Sequence, residues 1–137
     1  MAYGATGINR SMREQIVGVQ ALATDFTSAT AAGSTSAQTV TINDPFGKIT
    51  CLAATTQASD AILTVTVTNS NAAVGDVCFA NVSLSSGTAA GYSVLSSVVT
   101  ANTITIVVIN SGATAWAAPV FLINYMLIKA LGAGAAN

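Results

Sequence analysis

From Thr39 onward the chain keeps returning to one pattern in which every second residue is apolar: "TVTI" at 39–42, "ILTVTVT" at 62–68 and "TITIVVI" at 103–109. An extended backbone turns successive side chains to opposite faces, so a period of two specifies strands and does not suit a helix. Strands of this kind bury one face and must pack it against a second layer. Segments with this character at 39–42, 46–53, 61–68, 76–84, 92–99, 102–110 and 120–129 are separated by turn-forming residues. "NDP" at 43–45 starts a tight turn, and "SNAAVGD" at 70–76, "SSGTAAG" at 85–91, "TAN" at 100–102 and "NSGATAWAAP" at 110–119 continue the series. The expected fold is all-β: an antiparallel two-layer β-sandwich over residues 35–137, ending in a short C-terminal tail. Jelly-roll and immunoglobulin-like strand orders both satisfy the pattern.

The outward positions are the unusual part. In "AILTVTVTN" at 61–69, Thr64, Thr66 and Thr68 stand where a strand facing water ordinarily carries some Lys or Glu. Only 7% of the chain is charged, against roughly 25% in ordinary soluble proteins. The cations are Arg10, Arg13, Lys48 and Lys129, the anions Glu14, Asp25, Asp44, Asp60 and Asp76, and the net charge is −1. No basic cluster exists to grip phosphates, so nucleic acid is not an expected partner. The most apolar stretch, 113–128, is broken by Pro119 and Asn124 and falls short of the ~20 residues a helix needs to cross a bilayer. No membrane association is expected. The first residues hold no apolar signal core, so synthesis and residence in a cytosol are expected.

Two strands are apolar on both sides. In 103–110, Ile104, Ile106 and Val108 share one face while Thr105, Val107 and Ile109 share the other; in 120–129, Leu122, Met126 and Ile128 back onto Phe121, Ile123, Tyr125 and Leu127. One core of this size cannot absorb all of these side chains, which points to a homo-oligomer. Val107, Ile109, Trp116 and Tyr125 are the expected subunit-interface residues.

Residues 1–34 read as an N-terminal arm and linker, either extended or a short helix. Ser11 and Glu14 fit a capping box, with Met12, Ile16 and Val19 at helical spacing, whereas Gly18 and the β-branched Ile16, Val17 and Val19 favour an extended arm. The stretch 27–38, "TSATAAGSTSAQ", reads as a small-residue linker unable to build a core.

Groups able to do catalysis are scarce. The chain has no His, its Ser residues lie in no nucleophile motif, and Asp44, Asp60 and Asp76 each adjoin a turn. Asp60 and Asp76 could meet around Ca²⁺ only if a loop end brought them together. Cys51 and Cys78 lack any zinc-ligand spacing and are either buried thiols or one bridge between strands. Neither an enzyme nor a cofactor or metal is expected. Trp116 can be read as a platform for a sugar ring or as an anchor packed against the sandwich end or a neighbour. Arg10 and Arg13 are either solvated or paired with carboxylates on a partner.

Residues 69–128 resemble small β-sandwich proteins of tailed-bacteriophage virions, in particular head decoration (cement) proteins. The matching features are a small-residue turn closing in Gly75 and Asp76, a strand opening with Val77 to Ala80, the run "VTANTITIVVIN" from Val99 to Asn110, and an Ala/Thr loop before a last apolar strand. The resemblance implies a structural protein of the capsid surface, made in the host cytoplasm, that grips the major capsid protein and groups as a trimer at local three-fold positions. Arg10, Met12, Arg13 and Ile16 of the arm would then be capsid contacts. The Arg or Lys often seen in the "TITIVV" strand of such proteins is missing here, which keeps a tail-fibre or knob module binding a host-surface glycan as the alternative. Such a module normally follows an attachment domain and a long shaft, for which the arm is too short. Threonine suits a decoration protein: its hydroxyl keeps a face soluble, yet burial against another chain strands no charge.

Overall fold

The computed structural model describes residues 27–34, 36–54 and 57–130. The strands there are β1 (Thr27–Thr30), β2 (Ala32–Gly33), β3 (Ala37–Thr41), β4 (Phe46–Thr50), β5 (Ile62–Thr68), β6 (Val77–Thr88), β7 (Ser93–Thr100), β8 (Thr103–Ile109) and β9 (Ala117–Ile128). They form a four-stranded sheet ordered β1-β4-β9-β6 and a five-stranded sheet ordered β2-β3-β5-β8-β7. The all-β, two-layer expectation is met, and every expected strand is present with its ends moved by a few residues.

Two details differ. Residues 27–33 are not a linker but strands β1 and β2, which run along the edge of one sheet and then of the other. Ala31, at the crossing, is buried and its N–H donates to the Thr50 carbonyl at 2.9 Å. Side chains too small to build a core are well suited to slip between two layers at their rim, so the sandwich already includes Thr27 and does not wait for residue 35. Nor is the pairing wholly antiparallel: β1/β4 and β3/β5 are parallel. In each case the intervening chain passes through the opposite sheet, which supplies the crossover that parallel neighbours need. Alternation reports which face is buried and is blind to strand direction.

The core lies between the layers. Ile49, Phe121 and Ile123 from the four-stranded sheet meet Leu63, Val65, Val67, Ile104, Ile106 and Val108 from the five-stranded one, all fully buried. Tyr125 belongs to this inner face. Its β4 partner is Gly47, where a Cβ would lie 2.3 Å from the Tyr125 ring, so the missing side chain is what lets the ring lie flat. Gly87 is needed for two reasons: its φ is +81°, and a Cβ there would sit 2.3 Å from the Ala118 carbonyl oxygen, beside a bulge in the β6/β9 ladder.

A buried asparagine closes each end of the sandwich. At one end Asn110 donates from Nδ2 to the carbonyls of Gln57, Ala58 and Thr114, each at 3.0 Å, and accepts from the Gly112 N–H at 3.0 Å. At the other, Asn69 donates to the Asp44 carbonyl at 2.8 Å and to the Tyr125 hydroxyl at 3.2 Å, while its Oδ1 accepts from the Asn71 N–H at 2.9 Å. These amides satisfy loop groups that would otherwise be buried unpaired.

Cys51 and Cys78 are free and buried. Burial pushes the Cys51 thiol up to about 12 and the Cys78 thiol up to about 11 from 9.0. The unfolded chain ionises first, so it binds fewer protons than the native state above pH 9 and stability must fall as pH rises. For Cys51 this amounts to about 1.4 kcal/mol per pH unit, or about 3 kcal/mol by pH 11. Urea midpoints measured between pH 8 and pH 11 should decline accordingly, and Cys51→Ala should flatten the decline.

Candidate interaction surface

The outward positions of the five-stranded sheet fall into registered rows. Thr39, Thr66, Thr105 and Val98 lie side by side across β3, β5, β8 and β7, and Thr41, Thr68, Thr103 and Thr100 form the next row. Val107 and Ile109 continue this face on β8, half-buried, beside Thr64 and Ile62. A bulge in β7 between Val94 and Ser96 leaves Leu95 57% exposed. Among the described residues no ionised side chain stands on this face.

The outer face of the four-stranded sheet is more apolar. Phe46, Met126 and Phe79 form one row across β4, β9 and β6, with Ile128 and Val77 paired on one side of it and Lys48, Asn124 and Asn81 on the other. Phe79 is 58% exposed and Val77 51%. A shallow depression of about 220 Å³ is lined by Phe79, Ala80, Asn81, Asn124, Tyr125 and Met126. The cross-strand spacing of such rows lets neighbouring side chains touch, so these residues make a continuous patch rather than scattered exposures.

Among the described residues charge lies almost wholly in the connecting segments. Asp44, Asp60, Asp76 and Lys129 all lie between strands or beyond their ends, and among the described residues only Lys48 carries a charge on a sheet face. Asp76 is buried and engaged: Lys129 Nζ lies 2.5 Å from Oδ2, Ala130 N–H donates to Oδ1 at 2.8 Å and Ala73 N–H to Oδ2 at 2.9 Å. The Lys129 hydrogen bond, followed by that from the Ala130 amide, holds its carboxyl below the usual 3.8. Asp60 takes a positive φ of 64° in the turn before β5. The strand register sets Asp60 and Asp76 at opposite ends of the sandwich, so they cannot share a Ca²⁺ ion. Among the described residues no three His, Cys, Asp or Glu side chains come together to hold a metal.

Two expected interface residues are elsewhere. Trp116 is fully buried, packed edge-on against Phe121 with ring centroids 4.9 Å apart, and its Nε1–H donates to the Gly91 carbonyl at 2.9 Å. The β8–β9 connection folds back over the sandwich end, so the ring is an internal anchor, unavailable to a sugar or a neighbouring subunit. Tyr125 is likewise internal, because it shares the inward parity of Phe121, Ile123 and Leu127, and burial pushes its hydroxyl up to about 12. Val107 and Ile109 do reach an outer face. Arg10, Met12, Arg13 and Ile16 lie outside the described residues. The exposed patch of Phe79, Val77, Met126 and Ile128 was missed as a unit, although Phe79 shares its parity with Asn81 and that signal was readable.

No family model matches the chain, and neither a curated protein nor a solved structure does. No helix among the described residues is long and apolar enough to cross a membrane.

Proposed function

We propose that this protein is a structural virion component, a decoration or cement protein that attaches to a tailed-phage head and bridges subunits of the major capsid protein. The observation that supports this most is the pair of broad sheet faces with Lys48 as their one ionised group among the described residues. Such faces remain soluble through threonine and asparagine but leave almost no charge to desolvate when another protein covers them. Val107, Ile109 and the threonine rows belong to the area that becomes covered, and Arg10, Met12, Arg13 and Ile16 are the arm's capsid contacts. The action is adhesive: several copies engage together and convert modest individual contacts into firm attachment. A tail-fibre or knob module holding a glycan on Trp116 is the competing assignment, and it lacks an accessible ring at that position.

The test uses heads assembled from the cognate major capsid protein without this chain. Full-length protein should co-sediment with them and raise the temperature at which they open. Thr66→Lys and Val107→Lys, both on the outer face, should leave the circular-dichroism melt nearly unchanged and weaken co-sedimentation at least tenfold. Absence of binding to heads, or binding indifferent to both substitutions, refutes the assignment; adsorption to host cells instead would support the tail module.

A further inference from the structure

The chain holds one Asp-Pro pair, Asp44 and Pro45, in the turn between β3 and β4. The Asp44 carbonyl oxygen takes two side-chain donors. Asn69 Nδ2–H reaches it at 2.8 Å and the Tyr125 hydroxyl at 3.1 Å, closer than the 3.4 Å from that hydroxyl to the Ile42 carbonyl. Asn69 is fully buried and Tyr125 is 2% exposed. Burial pushes the Tyr125 hydroxyl up to about 12 and so keeps its proton in place to donate. The Asp44 carboxylate itself accepts from the Thr27 hydroxyl on β1, which ties it to the edge of the sandwich.

We propose that the peptide bond between Asp44 and Pro45 is a self-cleavage site, with the Asp44 carboxyl group as nucleophile and Asn69 and Tyr125 as the donors that receive the charge developing on the scissile carbonyl oxygen. One carboxyl oxygen bonds to the Asp44 carbonyl carbon and closes a five-membered anhydride. The C–N bond to Pro45 breaks, its electron pair stays on nitrogen, and the carboxyl proton moves there. Water then opens the anhydride, restoring the side-chain carboxyl group and leaving a second carboxyl group as a new C-terminus on Asp44. The sum is hydrolysis of one peptide bond.

The nucleophile belongs to the same residue as the carbonyl it attacks, so the step is unimolecular. Proline nitrogen carries no N–H, so no backbone hydrogen bond holds it back, and it departs as a secondary amine, more basic than the primary amine another residue would release. Both donors stand within the range of about 2.7–3.1 Å that serves an oxyanion. A neutral carbonyl is satisfied by Asn69 alone; a second buried donor adds stabilisation that grows as the oxygen becomes negative. Across the cut β1 still pairs with β4 and β3 with β5, so the two pieces stay in one sandwich and the break shows only on denaturation. The reaction needs no capsid, so it stands or falls independently of the proposed function.

The full chain is held folded at about pH 5, where carboxyl groups are protonated part of the time, and samples taken over days are denatured and weighed by mass spectrometry. Pieces spanning 1–44 and 45–137 should accumulate, their masses summing to that of the intact chain plus one water. The same chain in urea at that pH should release them at least tenfold more slowly, because unfolding removes both donors. Tyr125→Phe keeps the ring and removes one donor, so it should slow the cut about 100-fold, and Asp44→Ala should stop it. Circular dichroism confirms that each variant is folded. No pieces from the folded protein, equal or faster release in urea, or a rate indifferent to Tyr125→Phe overturns the proposal.

Discussion

Asn110→Asp should leave little folded protein at neutral pH. The wild-type amide donates to three loop carbonyls, at 3.0 Å each, from a fully buried position. A carboxylate of the same shape donates nothing and faces those oxygens with a negative charge. An unpaired buried charge costs about 3–5 kcal/mol, and the carbonyls lose their donor as well. Because domains of this size have about 5–15 kcal/mol in total, the variant loses most or all of its margin. Protonating the new side chain restores a donor and removes the charge, so its folded-state pKa is raised and its stability must increase as pH falls from 7 towards 4. Chemical denaturation of both proteins at pH 7 and pH 4 checks this; a variant as stable as wild type at pH 7 would show that the asparagine is not what seals that end.

Trp116→Ala should lower stability by about 3–5 kcal/mol, the range for emptying a large aromatic site in a core, and the melting temperature by about 15 °C. The ring packs on Phe121, which in turn contacts Tyr92 at 5.2 Å between centroids, so the cavity opens in the middle of an aromatic cluster. The Gly91 carbonyl also loses its donor. As the chain contains one tryptophan, native fluorescence reports on this site alone: its emission should be blue-shifted and poorly quenched by iodide. A surface tryptophan would be quenched freely, and its removal would barely move the melt.

The strands were legible because their alternation is strong and uninterrupted, as in "ILTVTVT", where burial follows the pattern residue by residue along β5. β1 and β2 were not. Their residues are small and polar, and what orders them is pairing with Gly47–Thr50 and with Gln38 and Thr39, partners distant in sequence or hidden across a turn. Strand direction was equally invisible, since parallel and antiparallel neighbours bury the same parity. For the candidate surface, the scarcity of charge was plain from composition, and the registered threonine rows emerge once β3, β5 and β8 are aligned. For Trp116 the sequence left a sugar platform, a subunit contact and an anchor on the sandwich end all open, and a hydrogen bond to Gly91 with an edge contact on Phe121 makes it the internal anchor. Tyr125 carried a readable cue, its shared parity with Phe121 and Ile123.

The passage of the first strand from one sheet to the other at Ala31 has a mechanical consequence. Tension applied through the segment that precedes Thr27 acts along β1, parallel to β4, so the ladder from Thr27/Gly47 to Thr30/Thr50 is loaded in shear and its bonds must yield together. A protein held by that end would resist detachment far better than one whose tether peeled a strand away from the rim.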